Sequence, residues 1–333
     1  MAADVVEGAA VSHRTVAVLG TRYADLTIEE QVLGPLGATL VLGDGGSPEQ
    51  ILAVARDAEV VLAGSRPRFD ATVLSGLSCR GIVRYGIGVD TIDLDAACER
   101  GIAVARVSDY GTEAVAYHAV ASALALLRRL PDADRALRAG DWGVAGVRPL
   151  HLPSVSTAGI VGYGRIGRQV ARYLLGLGFT VCAYDEYAEV PAADGVSAVS
   201  MDVLLQRSDV VLLHAPGDPS GRPLLSAVEL GRMKPGSVLV NTSRGSLVDL
   251  DALRAGLAAD RPARAALDVF PTEPVDVTIF GNVVDRLLLT PHMAWYTEES
   301  EADMRRKAAD EAARLLRGEP LREPVVEGGV RLP

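Results

Sequence analysis

Four groups of residues in this chain have the types and spacing that chemistry needs. The first is Gly162-Tyr163-Gly164-Arg165-Ile166-Gly167, its one Gly-x-Gly-x-x-Gly run. In a chain with 34 glycines the bare pattern is weak. Its surroundings strengthen it: residues 158–161 lead in as a strand and residues 166–178 lead out as a helix. A further strand then ends at Asp185, 18 residues beyond Gly167. Gly162 permits a tight turn, Gly164 lets backbone approach a pyrophosphate, and Gly167 lets helix pack closely on strand. The helix N-terminus offers N–H groups and positive dipole to phosphates. Asp185 sits where a carboxylate accepts both ribose hydroxyls and repels a 2′-phosphate, which favours NAD (as NADH) over NADP.

The second group is the five histidines, His13, His118, His151, His214 and His292. Hydride transfer between an alcohol and a carbonyl needs a group that takes or gives the hydroxyl proton, and imidazole suits neutral pH. His13 lies in the N-terminal tail, His118 in an apolar helical run where a structural role is expected, and His151 in an uninformative loop. His214 and His292 both follow the carboxyl ends of strands, where open α/β sheets bind ligands, and rank equally. Third is Arg244 in Asn-Thr-Ser-Arg-Gly, also just past a strand, whose guanidinium could fork onto a carboxylate or simply be an exposed arginine. Fourth is Glu273, past another strand, where a carboxylate could orient a histidine. Nothing in the spacing proves that pair.

The elements that must position these residues read as alternating short apolar runs and helical segments. Runs at 16–19, 39–42, 60–63, 82–85 and 102–105 are expected strands of a parallel sheet, apolar throughout because both faces are covered. Residues 112–130 form an Ala/Leu-rich helix, apolar almost all round and closed by Arg128, Arg129 and Pro131; it is expected to lie buried between two layers or two domains. A loop is expected over 132–156. A second strand–helix series begins at 158, and the last helix runs over 297–317 with Met304, Ala308, Ala312 and Leu315 on its apolar stripe. Two doubly wound α/β domains are the reading.

Composition bounds the partners. The 333 residues suit about two domains at ~150 residues each. A formal charge of −10 argues against nucleic acid, which needs clustered Lys and Arg. Cys79, Cys98 and Cys182 are widely spaced, with neither a disulfide framework nor a metal-binding pattern, so no metal is expected and a reducing compartment is. The first residues are acidic, without the apolar core of a signal peptide, and no apolar stretch approaches the ~18 residues of a membrane span. The expected location is cytoplasmic, with no membrane partner.

At the residues above the chain resembles the D-isomer-specific 2-hydroxyacid dehydrogenases. The blocks that carry the likeness are YGIGVDTIDLDAACERGIAV, TEAVAYHAV, GIVGYGRIGR, SDVVLLHAP, MKPGSVLVNTSRGSLVD, AALDVFPTEP and LLLTPH, in matching order and spacing. The resemblance implies two Rossmann-like parallel-sheet domains with a cleft between them: a flavodoxin-like substrate domain, residues 1–111 plus 296–333, and an NAD-binding domain, residues 112–295, inserted into it. It implies a homodimer acting on a small 2-keto or 2-hydroxy acid. By the same match Arg244 holds the substrate carboxylate, His292 is the acid/base and Glu273 orients it. Cofactor contacts carry over to Gly162, Gly164, Arg165, Ile166, Gly167, Asp185, Thr242, Ser243 and Asp268, with His214 and Pro216 beside the cofactor in the Leu-His-x-Pro position.

One departure narrows the likeness. Many members continue Thr-Pro-His with Ile-Gly-Gly, whereas here Met293-Ala294-Trp295-Tyr296 follows, similar to the branch of the C-terminal-binding proteins. That resemblance implies substrate contacts from Trp295, Arg84 and Gly86, and a bulky apolar substrate end or a narrower pocket. Arg66 and Arg68 could add anion contacts or be solvated loop charges. Besides the 2-keto-acid reductase, two alternatives are carried: the same scaffold acting on a phosphorus-bearing anion such as phosphite or a phosphonate acid, and an NAD(H)-sensing binding protein.

Overall fold

The computed structural model describes residues 14–332 except Arg22 and Pro219; His13 lies outside the described residues. The strands in chain order are β1 (Arg14–Leu19), β2 (Ala38–Gly43), β3 (Val60–Ala63), β4 (Gly81–Arg84), β5 (Ala103–Arg106), β6 (Thr157–Val161), β7 (Thr180–Tyr184), β8 (Ser197–Ala198), β9 (Val210–Leu213), β10 (Val238–Asn241), β11 (Arg264–Leu267), β12 (Leu287–Leu289), β13 (Pro324–Glu327) and β14 (Val330–Arg331). They divide between two compact units, one running to Gly111 and resuming at Thr297, the other spanning Thr112–Tyr296.

The first unit holds a sheet ordered β14-β13-β5-β4-β3-β1-β2. Strands β1 to β5 pair in parallel, and their order is that of a flavodoxin-like doubly wound sheet with its switch point between β1 and β3. β3 is buried along its whole length, as a central strand covered on both faces must be. An antiparallel hairpin, β13 and β14, extends the sheet beyond β5. This hairpin is not among the elements expected from the sequence, although Gly328 and Gly329, both at positive φ, form the two-residue turn that joins such strands.

The last helix, Glu298–Arg317, is capped by Thr297 and closed by Gly318 in the left-handed conformation. Its buried face includes Met304, Ala308, Ala312 and Leu315, but also Arg305. That arginine is answered within the unit. Its Nε and Nη2 donate to the two carboxylate oxygens of Glu29 at 3.0 and 2.7 Å. The Tyr85 hydroxyl donates to Glu29 at 3.0 Å, and the Tyr23 ring lies 4.3 Å from the guanidinium. Glu29 is 0% exposed, so its charge depends entirely on these partners.

The second unit holds a fully parallel sheet ordered β12-β11-β10-β9-β6-β7-β8. Counted from β6 this is the dinucleotide-binding order 3-2-1-4-5-6 with one strand added, and the switch point falls between β6 and β9. Two helical expectations need correcting here. The helix Thr112–Leu127 ends before Arg129, which takes a left-handed φ of 49°, and a new helix, Leu130–Arg138, occupies what was expected to be loop. Pro131 sits in the first turn of that helix, where its missing N–H costs nothing, rather than terminating the preceding one. Asp132 then accepts from Arg135 at 2.6 Å and from Arg264 of β11 at 2.6 and 2.7 Å, which fastens the helix to the sheet. The helix Thr112–Leu127 is also not buried all round, since Tyr117 is 68% exposed. Its alanines pack on the helix Arg165–Gly176 and on β9 to β11.

Removing one partner of the Glu29–Arg305 pair strands a buried charge. Glu29→Ala should therefore cost about 3–5 kcal/mol in chemical denaturation, and the Glu29→Met/Arg305→Met pair far less. A single variant as stable as the parent would show that the pair is solvated.

Candidate active site

The register of the second sheet places its chemistry in one row. Val161 of β6 is aligned with Tyr184 of β7 and Leu213 of β9, Leu213 with Asn241 of β10, Asn241 with Leu267 of β11, and Leu267 with Leu289 of β12. The next residue on each strand is therefore Gly162, Asp185, His214, Thr242, Asp268 and Thr290. Six neighbouring carboxyl ends deliver these residues to one edge.

At the switch point the glycine-rich turn has the shape its spacing implied. Gly162 has φ 94°, and a Cβ there would stand 2.5 Å from the backbone of His214 and Ala215. A Cβ on Gly167 would meet the Gly162 carbonyl at 2.1 Å, whereas Gly164 faces open space. The helix begins at Arg165 and Ile166 with Gly164 as N-cap and no side-chain cap, so its first-turn N–H groups are not taken by a capping side chain. Asp185 accepts from the Tyr163 N–H at 2.5 Å and from the Tyr187 and Ala188 N–H groups at 2.8 Å. Burial pushes its carboxyl pKa up, but these three donors and nearby Arg168 outweigh that and hold it below the usual range. Three of its roughly four acceptor positions are thus occupied, leaving room for one further hydroxyl without giving up a backbone partner. Tyr163 also donates its hydroxyl to Asp194 at 3.0 Å; burial and that acceptor push its pKa up to about 12. The buried Thr242 Oγ1 and His214 Nε2 at the same edge have no hydrogen-bond partner among the described residues. Open space over Gly164, uncapped N–H groups and two orphaned polar atoms fit a dinucleotide lying across this edge.

The two histidines that the sequence ranked equally part company here. Burial lowers the His214 pKa to about 4, so its ring is neutral near pH 7. His292 is half exposed, and its Nδ1 lies 2.7 Å from Oε2 of Glu273. Glu273 is steadied in turn by the Phe270 N–H, which donates to Oε1 at 3.0 Å. His292 itself has φ 53°, a left-handed conformation unusual for a side chain with a Cβ. Its N–H donates to the Asp268 carbonyl at 2.8 Å, and the His292 carbonyl accepts from the indole N–H of Trp295 at 3.1 Å.

Asp268 is the brace of this loop. Its carboxylate is 2% exposed and accepts from the Thr290 hydroxyl at 2.6 Å and the Met293 and Ala294 N–H groups at 2.9 Å. Asp268, which the resemblance assigns to the cofactor, thus also braces this loop; Thr290, which begins the Thr-Pro-His run that contains His292, has no role in the sequence reading. His118 Nε2 lies 3.2 Å from the Thr290 hydroxyl.

Arg244 is presented by a turn that Asn241 shapes. The Asn241 amide donates to the Arg244 carbonyl at 2.8 Å, and its oxygen accepts from the Ser243 N–H at 3.1 Å. Ser243 donates its hydroxyl to the Ala215 carbonyl at 2.6 Å, tying this turn to the exposed loop that carries Pro216. The Arg244 guanidinium donates to the Ser243 carbonyl at 2.9 Å. Gly245 lies so close to Phe270 that a Cβ would stand 1.9 Å from its carbonyl carbon. The Arg244 turn and the Glu273 loop are therefore direct neighbours. In the first unit, the Arg84 guanidinium donates to the Tyr85 carbonyl, and a Cβ on Gly86 would stand 3.3 Å from it. Arg66 and Arg68 are exposed, as is His151.

No group of acidic, histidine and cysteine residues able to hold a metal occurs among the described residues. No helix among them is long and apolar enough to cross a membrane.

Residues 120–294 match the D-isomer specific 2-hydroxyacid dehydrogenase, NAD binding domain. D-3-phosphoglycerate dehydrogenase of Archaeoglobus fulgidus is 33% identical over 292 residues, covering 87% of this chain and 55% of that protein. The Escherichia coli enzyme of that name is 36% identical over 263 residues, covering 77% and 63%. The chain thus spans about half the length of the curated relatives it matches. Among solved structures, the apo form of D-lactate dehydrogenase from Escherichia coli superposes with a TM-score of 0.82 at 30% identity, over 94% of this chain and 100% of that one. A glyoxylate reductase from Paecilomyes thermophila gives 0.81 at 32%, over 93% and 98%.

The depressed pKa of His214 has a measurable consequence. The unfolded chain takes up a proton near pH 6.5 that the folded chain refuses until about pH 4, so stability falls as pH drops through that window. The stability difference between the parent and His214→Gln should change by about 2–3 kcal/mol between pH 7 and 4.5. A difference independent of pH would mean that the ring is not held neutral.

Proposed function

Because this chain belongs to the D-isomer-specific 2-hydroxyacid dehydrogenase family, we propose that it interconverts a 2-keto acid and a D-2-hydroxy acid with NAD(H). The observation that carries the reading is the 2.7 Å pair of His292 and Glu273 on the loop beside the Arg244 turn, at the sheet edge that holds the glycine-rich turn.

The chemistry follows from those groups. NADH, when bound, supplies the hydride. Arg244 forks onto the carboxylate of the keto acid and draws electron density from the adjacent carbonyl. The Nδ1–H of His292 donates to Glu273, which fixes the tautomer and leaves Nε2 for proton exchange. In reduction Nε2 delivers a proton to the developing alkoxide; in oxidation it removes one from the hydroxyl. His214, neutral and outside this pair, borders the cofactor with Pro216, Thr242 and Ser243. Arg165 and Ile166 open the helix that faces the pyrophosphate, and Asp185 takes a ribose hydroxyl and disfavours NADP.

Trp295, held by its bond to the His292 carbonyl, sets the size of the substrate end. Arg84 and Gly86 of the first unit keep the substrate role that the family resemblance implies. Arg66 and Arg68 are exposed and lend no support to a phosphorus-bearing anion. The three free cysteines suit a reducing, cytoplasmic location. A second copy of the chain is the partner. Trp142, Leu152 and Val155 are 92%, 65% and 73% exposed, apolar side chains that a second copy would cover. Light scattering should give twice the mass of one chain, and Leu152→Asp/Val155→Asp the mass of one; a parent that runs as one chain refutes the dimer.

Purified protein offered NADH and a panel of 2-keto acids, from glyoxylate and hydroxypyruvate to aromatic and phosphonate-bearing acids, should oxidise the cofactor with one class. Arg244→Ala should then lose at least about 100-fold in kcat/KM while the Kd for NADH stays within about threefold. Tight NADH binding without turnover on any acid would favour the sensing protein. Asp185→Ala should erode the preference for NADH over NADPH, and an unchanged ratio would remove that carboxylate from the ribose.

A further inference from the structure

Left-handed backbone at a residue with a Cβ persists only when its surroundings over-determine it. At His292 those surroundings converge on Asp268, whose carbonyl takes the His292 N–H and whose carboxylate takes the next two N–H groups. What holds the carboxylate itself comes from elsewhere. The Thr290 hydroxyl donates to Oδ1 at 2.6 Å, a short charge-assisted bond. With its proton committed there, Thr290 Oγ1 can only accept from His118, 3.2 Å away. In that arrangement His118 donates from Nε2, a nitrogen that also lies 4.0 Å from Oδ1 of Asp268. The geometry favours donation from His118 to Thr290 and from Thr290 to Asp268. Each bond in such a chain polarises the next.

We propose that His118 and Thr290 are positioning residues, which set the orientation of Asp268 and through it hold His292 in the left-handed conformation that aims its ring. This rests on His292 as the acid/base, and it assigns a function to a helix histidine that its sequence context makes look structural. Thr290 directly follows β12 and His118 sits on the helix packed against β10 and β11. The two therefore meet at Oδ1 of Asp268 from separate elements, without belonging to the Arg244, Glu273 and His292 set. Loss of the Thr290 hydroxyl would leave Asp268 with two backbone donors from the very loop it is meant to restrain.

The test uses Thr290→Val, which keeps the shape and removes the hydroxyl, and His118→Leu, with Thr290→Ser and His118→Gln as conservative partners. For the full-length protein with its preferred keto acid, Thr290→Val should lower kcat between about 10- and 100-fold, with KM and the Kd for NADH within about threefold. His118→Leu should act in the same direction, while Thr290→Ser and His118→Gln recover most of the rate. A second readout needs no turnover: the carbon-13 Cε1 resonance of His292, assigned by its loss in His292→Gln. It should shift or double in Thr290→Val and His118→Leu and return in Thr290→Ser. An unmoved resonance in both variants would overturn the proposal, whether or not the parent reduces any acid. A proportional loss in kcat and in folded fraction, equal in Val and Ser variants, would likewise reduce the network to a purely structural one.

Discussion

A carboxylate that is almost wholly removed from water must be given donors, and the donors that Asp268 receives come from the loop that follows it in space. Two are consecutive backbone N–H groups, a third is the threonine at the end of the neighbouring strand, and its carbonyl secures the histidine between them. Satisfying the buried charge and shaping the loop are thus one event. The left-handed turn at His292, which alone would be unfavourable by about 1–2 kcal/mol, is offset because every alternative would unpair some part of Asp268. The ring that results lies against Glu273, and its carbonyl is closed off by Trp295.

That arrangement depends on sheet register. Because the strands of the second unit are all parallel, their carboxyl ends share one edge, and the first residue past each strand lands in the same row. The row runs from Asp185 through the glycine-rich turn to the loop that carries His292, so the groups to which the proposed function gives cofactor and proton chemistry share one edge. The switch point between β6 and β9 opens the space over Gly164 because the helices that follow these two strands lie on opposite faces of the sheet.

The sequence was informative where the physics is local. Apolar runs of four residues located the central strands, and glycine spacing located the turn because Gly162 and Gly167 are compelled by close backbone approach. The identities of Arg244, Glu273 and His292 were readable at strand ends, but their roles came from resemblance. The tie between His214 and His292 could not be broken from sequence, since burial decides it and burial is a property of the packed chain. The same holds for Glu29 and Arg305, 276 positions apart, and for Asp268, whose partners are invisible until β11 and β12 pair. The helix over 130–138 was missed for another reason: Pro131 was read as a stop when the Asp132 and Arg264 pairing made it a start.

The proposed reaction is hydride delivery to the carbonyl carbon of a 2-keto acid, and following the hydride itself tests it. NADH carrying deuterium at both C4 positions would be incubated with the protein and a panel of keto acids, and the products resolved by chiral chromatography with mass detection. The expected product is a D-2-hydroxy acid carrying one deuterium at C2. A protein that binds the labelled cofactor yet transfers deuterium to none of them, or yields the L-hydroxy acid, would contradict it.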